Sequence, residues 1–482
     1  MDRINEALMG VINSINDVLW GKVLVFALIG SGLYFTTVLG FIQARRLVHS
    51  VKVLNKGRHV DSGISPFKTF CTSLAARVGT GNIAGVVIAM TMGGPGAIFW
   101  MWLSAFLGMA TSLVESTLAQ VYKIRDSEGE FRGGPAYYME KGIGSRKMGM
   151  LFSVLLILAF GFAFNAVQSN TIVDSMGGIF DVKAYVIGIV VVVLTAFVIM
   201  GGLKKIATTA GILVPIMAVS YLLIALLVVV LNISEVPSAF LLVFQDAFGV
   251  REAGAGVVGY TIAQAMRHGI SRGLFSNEAG MGSAANIAGS ATPVPNHPAS
   301  QGYVQMLGVF VDTFVICTAS AAMILLTGGL EHADGRTGIS LMQFALSEEL
   351  GAWIKYFLGL SILFFCFSSI IANYSYAETN FLFLNGNTPK GLFPFRLVVL
   401  VVVMTGALLD LPVVWGLADV TMGLMALTNI TALIILSRKG ISTIRDYNKQ
   451  DKSGATPVFD GGSVPGLDPE IWPERDTSSE SP

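Results

Sequence analysis

Eleven stretches of this 482-residue chain are long and apolar enough to cross a membrane as helices. A spanning helix needs about 20 mostly apolar residues, because the hydrocarbon core is about 30 Å thick and offers the backbone no hydrogen-bond partners. Only 13% of the residues are charged, against about 25% in soluble domains. We therefore predict an all-α, polytopic membrane protein with eleven transmembrane helices, at 18–42, 66–91, 96–121, 149–175, 184–202, 206–232, 255–289, 300–328, 351–381, 393–409 and 413–436.

Charge and cysteine usage exclude several classes of function. Basic and acidic residues balance at 31 each, so nothing favours nucleic-acid binding. The three cysteines form no CxxC pair and the five histidines have no ligand spacing, so we predict neither a resident metal centre nor another cofactor. The HExxH and GxSxG motifs of enzymes are absent, and no charge ring or repeated filter sequence suggests a channel.

The basic residues fall mainly in alternate loops, which is the pattern that sets membrane orientation. These loops lie at 45–68, 123–147, 204–205, 390–396 and 438–475. The pattern predicts a multi-pass protein with its N-terminus outside and its C-terminus in the cytoplasm. We expect an interfacial amphipathic segment at 1–17, and disorder in the polar tail from about residue 451.

Two of the predicted spans are interrupted by glycine. The second contains Gly79 and Gly81 in mid-membrane, and the seventh contains Gly273, Gly280 and Gly282. Spans 2 and 7 are the first helices of two successive halves of five helices each. Because each half has an odd number of spans, the second half has the opposite orientation in the membrane. Gly-interrupted spans at matching positions of two halves point to a transporter's binding site. Tight helix packing is the alternative explanation of these glycines.

A break of this kind has a specific chemistry. Unwinding frees N–H groups that can bind a carboxylate at the positive end of a half-helix. The freed carbonyls can bind a small cation, and Gly79 and Gly81 would let the backbone approach a ligand closely. Thr80 and Asn82 add side-chain oxygens. Together these groups suit a zwitterion and a sodium ion.

Three motifs carry a family resemblance. Residues 79–86 (GTGNIAGV), 93–97 (GGPGA) with Trp100, and 276–284 (SNEAGMGSA) resemble the alanine/glycine:cation symporter family, and the likeness covers about 10–445. The resemblance implies a LeuT-type fold with an inverted five-helix repeat, helices 2–6 and 7–11, after one extra N-terminal helix. It also implies sodium-coupled uptake of a small neutral amino acid, alanine or glycine, across a prokaryotic cell (inner) membrane.

The repeat divides the chain into six segments. They are the interfacial segment 1–17, the extra helix with its basic loop 18–65, the first repeat 66–232, an outer loop 233–254, the second repeat 255–437 and the tail 438–482. The expected partners are the amino acid, sodium and the lipid bilayer.

The resemblance also assigns substrate contacts. Met281 stands where such folds have an aromatic lid residue, and Asn82 would serve a cation site beside the substrate carboxylate. Gln168 lies on the fourth span, which lines the pocket in these folds, although it could equally bond to a neighbouring helix. The implied substrate-binding residues are Thr80, Gly81, Asn82, Phe164, Gln168, Ser276, Asn277 and Met281.

The implied sodium site combines backbone carbonyls before the first break with a pair of hydroxyls on the ninth span. Its residues are Ala75, Val78, Phe365, Ser368 and Ser369. A serine in a helix can instead bond to the carbonyl four residues before it, which is the structural alternative for Ser368 and Ser369.

Charged residues inside the spans are costly in lipid and should face protein or water. We predict an ion pair between Arg77 and Glu278 that acts as a gate, with a purely structural pair as the alternative. A buried carboxylate such as Glu278 would also suit proton coupling. A proton-coupled amino-acid symporter is therefore the second functional reading.

Overall fold

The computed structural model describes residues 2–250, 255–333, 335–408, 411–467 and 469–472, without the side chains of 2–8, 255–258, 411–413 and 463. Within that part of the chain, seven helices are long and apolar enough to cross a membrane. A bent pair, Pro66–Arg77 with Gly81–Gly93, raises the number to eight if it forms one span. The seven are Met9–Val38, Ala97–Val121, Arg146–Phe180, Gly202–Leu231, Pro298–Leu326, Ile354–Leu384 and Val414–Ile435.

The other predicted spans correspond to helices outside this set of seven. Two are apolar helices, Ala184–Ile199 and Leu392–Gly406, and one is the helix pair Ala255–Asn277 and Ser283–Gly289. The connecting elements are the helices Ile42–Arg45, Leu47–Lys56, Pro135–Tyr137, Val236–Ala247, Gly338–Leu350 and Ser437–Lys452 and the antiparallel strands Ile124–Arg125 and Phe131–Arg132.

Both Gly-interrupted spans are broken. The first starts at a Ser65 cap, whose hydroxyl accepts from the Lys68 N–H at 3.2 Å, and bends by 53° at the break. In the second, Glu278, Gly280 and Gly282 have φ angles of 58°, 88° and 79°. Glycine adopts this left-handed region freely, whereas a residue with a Cβ is strained there by about 1–2 kcal/mol. The conformation of Glu278 therefore marks the second break as strained backbone.

The two broken helices run in opposite directions against each other. The first half of the second, Ala255–Asn277, packs on the last half of the first, Val86–Gly93. The last half of the second, Ser283–Gly289, packs on Pro66–Arg77. Each break therefore lies at the level of the other, inside the helix bundle.

Described segments near both ends of the chain pack on the bundle. From Met9, within the segment 1–17 that we expect to be interfacial, the helix continues into the first span, and Asn16 donates to the Gly416 carbonyl at 3.2 Å. The tail, expected to be disordered, reaches Trp472, whose Nε1 donates to the Gln120 carbonyl at 2.9 Å. Residues 473–482 of the tail and 251–254 of the predicted outer loop lie outside the described residues.

A buried ion network ties the short hairpin to the bundle. Arg132 lies 2.9 Å from the Asp126 carboxylate and 3.2 Å from that of Glu378. The second oxygen of Glu378 lies 3.3 Å from Arg396. Both the Arg132 and Glu378 side chains are under 5% exposed.

Replacing Glu378 by glutamine should destabilise the protein strongly. The change leaves the buried Arg132 and the part-buried Arg396 short of a counter-charge, and breaking one side of a buried pair costs about 3–5 kcal/mol. Thermal unfolding of the purified protein in detergent measures the loss. Glu140→Gln is the matched control, because its pair with Arg146 is solvent-exposed and such pairs contribute about 0–1 kcal/mol. Equal melting temperatures for the two variants would contradict the prediction.

Candidate substrate and cation site

The first break exposes backbone groups in the centre of the bundle. Val78 is extended, with φ −83° and ψ 91°, and ends the helix Pro66–Arg77. Asn82 stabilises the opened turn, because its Oδ1 accepts from the Gly79 N–H at 3.1 Å. All of these residues are buried. The break therefore presents carbonyl and N–H groups to its neighbours away from bulk water.

The five residues predicted to hold sodium come together at this break. The Ser369 Oγ lies 2.7 Å from the Ala75 carbonyl, 3.0 Å from that of Phe365 and 3.4 Å from that of Val78. The contact of Ser369 with the Phe365 carbonyl is the i−4 bond of the structural alternative, made in addition to its contacts with Ala75 and Val78. The Ser368 Oγ donates to the same carbonyl, three residues before it, at 2.9 Å. The cluster offers only hard oxygen donors, which is the chemistry that sodium prefers in such sites.

Gln168 faces the same break from the fourth span. Its Oε1 accepts from both the N–H and the hydroxyl of Thr80, at 3.0 and 2.8 Å. Thr80 Oγ1 also lies 3.3 Å from the Cys366 sulfur. The Gln168 carbonyl oxygen thus occupies the donors that a substrate carboxylate would use.

An aromatic wall closes the other side of the break. Phe164 stacks on Phe275, with ring centroids 4.4 Å apart, and Phe275 packs against Trp415 at 5.0 Å. A Cβ added to Gly81 would lie 2.8 Å from the Phe275 ring. Phe275, which our predicted site did not include, therefore lies against the first break. Phe275 directly precedes the SNEAGMGSA motif in the sequence, and this position was the available signal for it.

Ser276 and Asn277 belong to a hydrogen-bonded cluster around the Asp312 carboxylate, which our sequence-based site did not include. Asp312 is fully buried and accepts hydrogen bonds from Asn82 at 2.6 Å, Ser276 at 2.8 Å and Thr313 at 2.9 Å. Asn277 reaches the same cluster through the Thr313 hydroxyl, at 3.2 Å. A carboxylate in an apolar span was itself the available signal.

The predicted ion pair between Arg77 and Glu278 is not formed in this conformation. Arg77 donates to the Gln305 carbonyl at 3.5 Å, and Glu278 accepts from the Ser283 hydroxyl at 2.7 Å. A different ion pair lies against the aromatic wall. Arg272 lies 2.7 Å from Asp419, and its guanidinium lies over the Trp415 ring at 5.1 Å.

The fold and the two broken helices define an all-helical membrane transporter. The fold is similar to that of a manganese transporter from Eremococcus coleocola, with a TM-score of 0.51 over 81% of each chain at 13% identity. The model of the sodium:alanine symporter family matches residues 5–461. The chain belongs to that family.

Curated relatives match over nearly their whole length. The uncharacterized transporter YaaJ of Escherichia coli is 46% identical over 95% of this chain and 97% of its own. The probable sodium/glutamine symporter GlnT of Bacillus subtilis is 44% identical over 100% and 99%. The sodium/alanine symporter AgcS of Methanococcus maripaludis is 38% identical over 93% and 99%. Family membership supports cation-coupled transport of an amino acid, a transporter's role and not an enzyme's.

Proposed function

We propose that the protein is a symporter that uses the sodium gradient to carry alanine or glycine into the cell. The observation that carries the proposal is the oxygen cluster of Ser369 with the Ala75 and Val78 carbonyls. That cluster lies on the same break as the Thr80 N–H. A cation and a substrate carboxylate bound side by side would stabilise one another, which is the basis of coupling.

The substrate carboxylate would bind the backbone at Thr80 and Gly81, and Gln168 would then turn towards the substrate. The site is narrow, because the Phe275 ring lies against Gly81 and Gln168 lies against Gly79. A long side chain would have to displace these groups. We therefore propose a small amino acid as substrate, and glutamine, named for the relative GlnT, is the informative competitor.

The chain is proposed to have eleven spans, namely one extra N-terminal helix followed by an inverted repeat of two five-helix halves. The bent pair, the two shorter apolar helices and the pair Ala255–Asn277 with Ser283–Gly289 would join the seven long helices. The antiparallel packing of the broken helices supports this arrangement. It puts the repeats at 66–232 and 255–437, and the basic loops favour an outer N-terminus and a cytoplasmic C-terminus in a prokaryotic inner membrane.

Proton coupling is the second candidate. Glu115, Glu278 and Asp312 are at most 1% exposed, and Asp312 bonds directly to Asn82 at the first break. A carboxylate that takes up and releases a proton there could replace the sodium ion. The two candidates differ in the gradient that drives uptake.

The deciding experiment is uptake of labelled alanine, glycine and glutamine into proteoliposomes. Inward gradients of sodium, of lithium and of protons are imposed separately on the purified protein. We expect uptake of alanine or glycine with sodium alone. Uptake with a proton gradient alone would overturn sodium coupling, and uptake of glutamine alone would overturn the substrate assignment.

The pair Arg272–Asp419 is proposed to act as a gate over the aromatic wall. Asp419→Asn leaves Arg272 without its carboxylate and should lower uptake about tenfold, because the loss of one partner of this part-buried pair, whose side chains are 11% and 14% exposed, costs about 1.4 kcal/mol. Exchanging the two charges, in Arg272→Asp with Asp419→Arg, should restore part of that uptake.

Asp17→Asn is the control for the gate, because it breaks the Arg267–Asp17 pair, whose aspartate side chain is 66% exposed. Uptake per folded protein is measured for every variant. Full uptake by Asp419→Asn would contradict a gating role.

A further inference from the structure

A basic pocket lies where the first span meets the C-terminal helix. It has a volume of about 340 Å³. Two apolar residues and one amide share its wall with five cationic side chains. Its lining consists of Leu39, Ile42, Arg45, Arg46, Arg445, Asn448, Lys449 and Lys452.

The positive charge of this pocket is largely uncompensated. Among the described residues, Asp451 is the carboxylate that forms an ion pair with a cation of the pocket, and it lies 2.5 Å from Arg46. Neither Lys449 nor Lys452 forms an ion pair with a described residue. Such a concentration of like charge is unfavourable unless an anion joins it.

The two other arginines each use one donor on the end of the first span. Arg45 donates to the Gly40 carbonyl at 3.1 Å, and Arg445 donates to the Val38 carbonyl at 3.3 Å. Cations are favourable at the C-terminus of a helix. A guanidinium has five donors, however, so both arginines keep donors for a ligand.

The position of the pocket indicates the source of that ligand. The span Met9–Val38 ends directly at the pocket, so the pocket lies at the depth of the lipid headgroups. Leu39 and Ile42 give it an apolar side, and the neighbouring Phe41 is 51% exposed. A headgroup bound there could keep its acyl chains against the apolar surface of the span.

We propose that this pocket binds the phosphodiester headgroup of an anionic phospholipid. Arginine pairs with phosphate oxygens in a bidentate manner, and lysine adds point charges. A zwitterionic lipid also carries a cation, which Lys449 and Lys452 would repel, so the pocket selects a net negative headgroup. Basic pockets at the ends of membrane helices are suited to this chemistry.

Native mass spectrometry of the purified protein with phosphatidylglycerol or phosphatidylcholine tests the site. The variant is Lys449→Gln with Lys452→Gln, because neither lysine supports the fold through an ion pair. Each basic residue near an anionic lipid strengthens binding roughly fivefold. We expect the double variant to bind phosphatidylglycerol about 25-fold more weakly than the unchanged protein does.

The matched control is Lys52→Gln with Lys56→Gln, which removes the same charge from the exposed side of the neighbouring helix Leu47–Lys56. It should change lipid binding by no more than about twofold. Equal loss in both variants, or equal binding of the two lipids by the unchanged protein, would overturn the proposal.

Inorganic phosphate separates the lipid from a soluble anion. Thermal unfolding is followed in lipid-free detergent with phosphate or with phosphatidylglycerol. We expect phosphatidylglycerol to raise the unfolding temperature of the unchanged protein but not that of the variant Lys449→Gln with Lys452→Gln. Phosphate at the same concentration should not raise the unfolding temperature of either protein. Saturable stabilisation by phosphate that matches that of the lipid would overturn the lipid assignment.

Discussion

Replacing Ser369 by alanine is expected to raise the sodium concentration for half-maximal uptake by about 10- to 100-fold. The Ser369 hydroxyl lies within 3.4 Å of three backbone carbonyls, those of Ala75, Val78 and Phe365. It is the side-chain atom that joins the ninth span to the first break. A polar contact to a charged group contributes about 1.5–3 kcal/mol, which corresponds to that loss of affinity.

The control for Ser369 is Ser361→Ala on the same helix. Ser361 donates only to the Phe357 carbonyl within its own helix, so its loss should leave sodium dependence unchanged. Initial uptake rates against sodium concentration, normalised to folded protein, separate the two variants. An unchanged sodium curve for Ser369→Ala would contradict the proposed cation site. An equal loss in both variants would indicate a general weakening of the helix.

Replacing Gly79 by alanine is expected to reduce uptake by up to about 100-fold while the protein still folds. An added Cβ would lie 2.4 Å from the Ser369 Oγ and 2.9 Å from the Gln168 amide. Such overpacking costs about 1–3 kcal/mol, and here it would displace groups proposed for both the cation and the substrate. Both ligands should therefore bind more weakly in the same variant.

Gly85→Ala is the matched control, six residues along the same broken span. Its added Cβ would meet nothing closer than the Thr80 carbonyl oxygen at 3.7 Å, an ordinary contact. We expect nearly normal uptake by this variant. Binding of alanine to the purified protein, measured calorimetrically with and without sodium, completes the comparison. Wild-type binding by Gly79→Ala, or an equal loss in Gly85→Ala, would contradict the assignment of the first break as the site.

The breaks that carry the candidate site were predictable because their signals are local. Glycine in the middle of an apolar span is locally unfavourable for a helix, and both spans marked in this way are broken at Gly79–Gly81 and Glu278–Gly282. The residues proposed for sodium came from the family resemblance, since spacing alone does not connect Ser369 with Ala75, 294 residues earlier. Asp312 carried a signal, as a carboxylate in an apolar span, but neither it nor Phe275 was assigned to the site, because a single aromatic or carboxylate does not indicate which residues it will contact.

The predicted and the proposed gate pairs show why the partner of a charged residue is harder to predict than a break in a helix. Arg77 and Glu278 both lie near breaks in the sequence, yet each side chain turns to another partner. Arg272 instead meets Asp419, 147 residues away in the sequence, and no local pattern marks that contact. The contacts of Asn16 with Gly416 and of Trp472 with Gln120 were not predicted for the same reason, because these partners lie far apart in the sequence.

The sequence by itself determined that the chain is an all-helical membrane protein, where its helices break and which family it resembles. These properties follow from the hydrocarbon core, which requires long apolar helices, and from glycine, which is unfavourable inside them. Only the tertiary structure decided which side chains meet at the breaks, which ion pair lies on the aromatic wall and where five cations converge. Those contacts join residues far apart in the chain, and helix packing, which no local pattern specifies, brings them together.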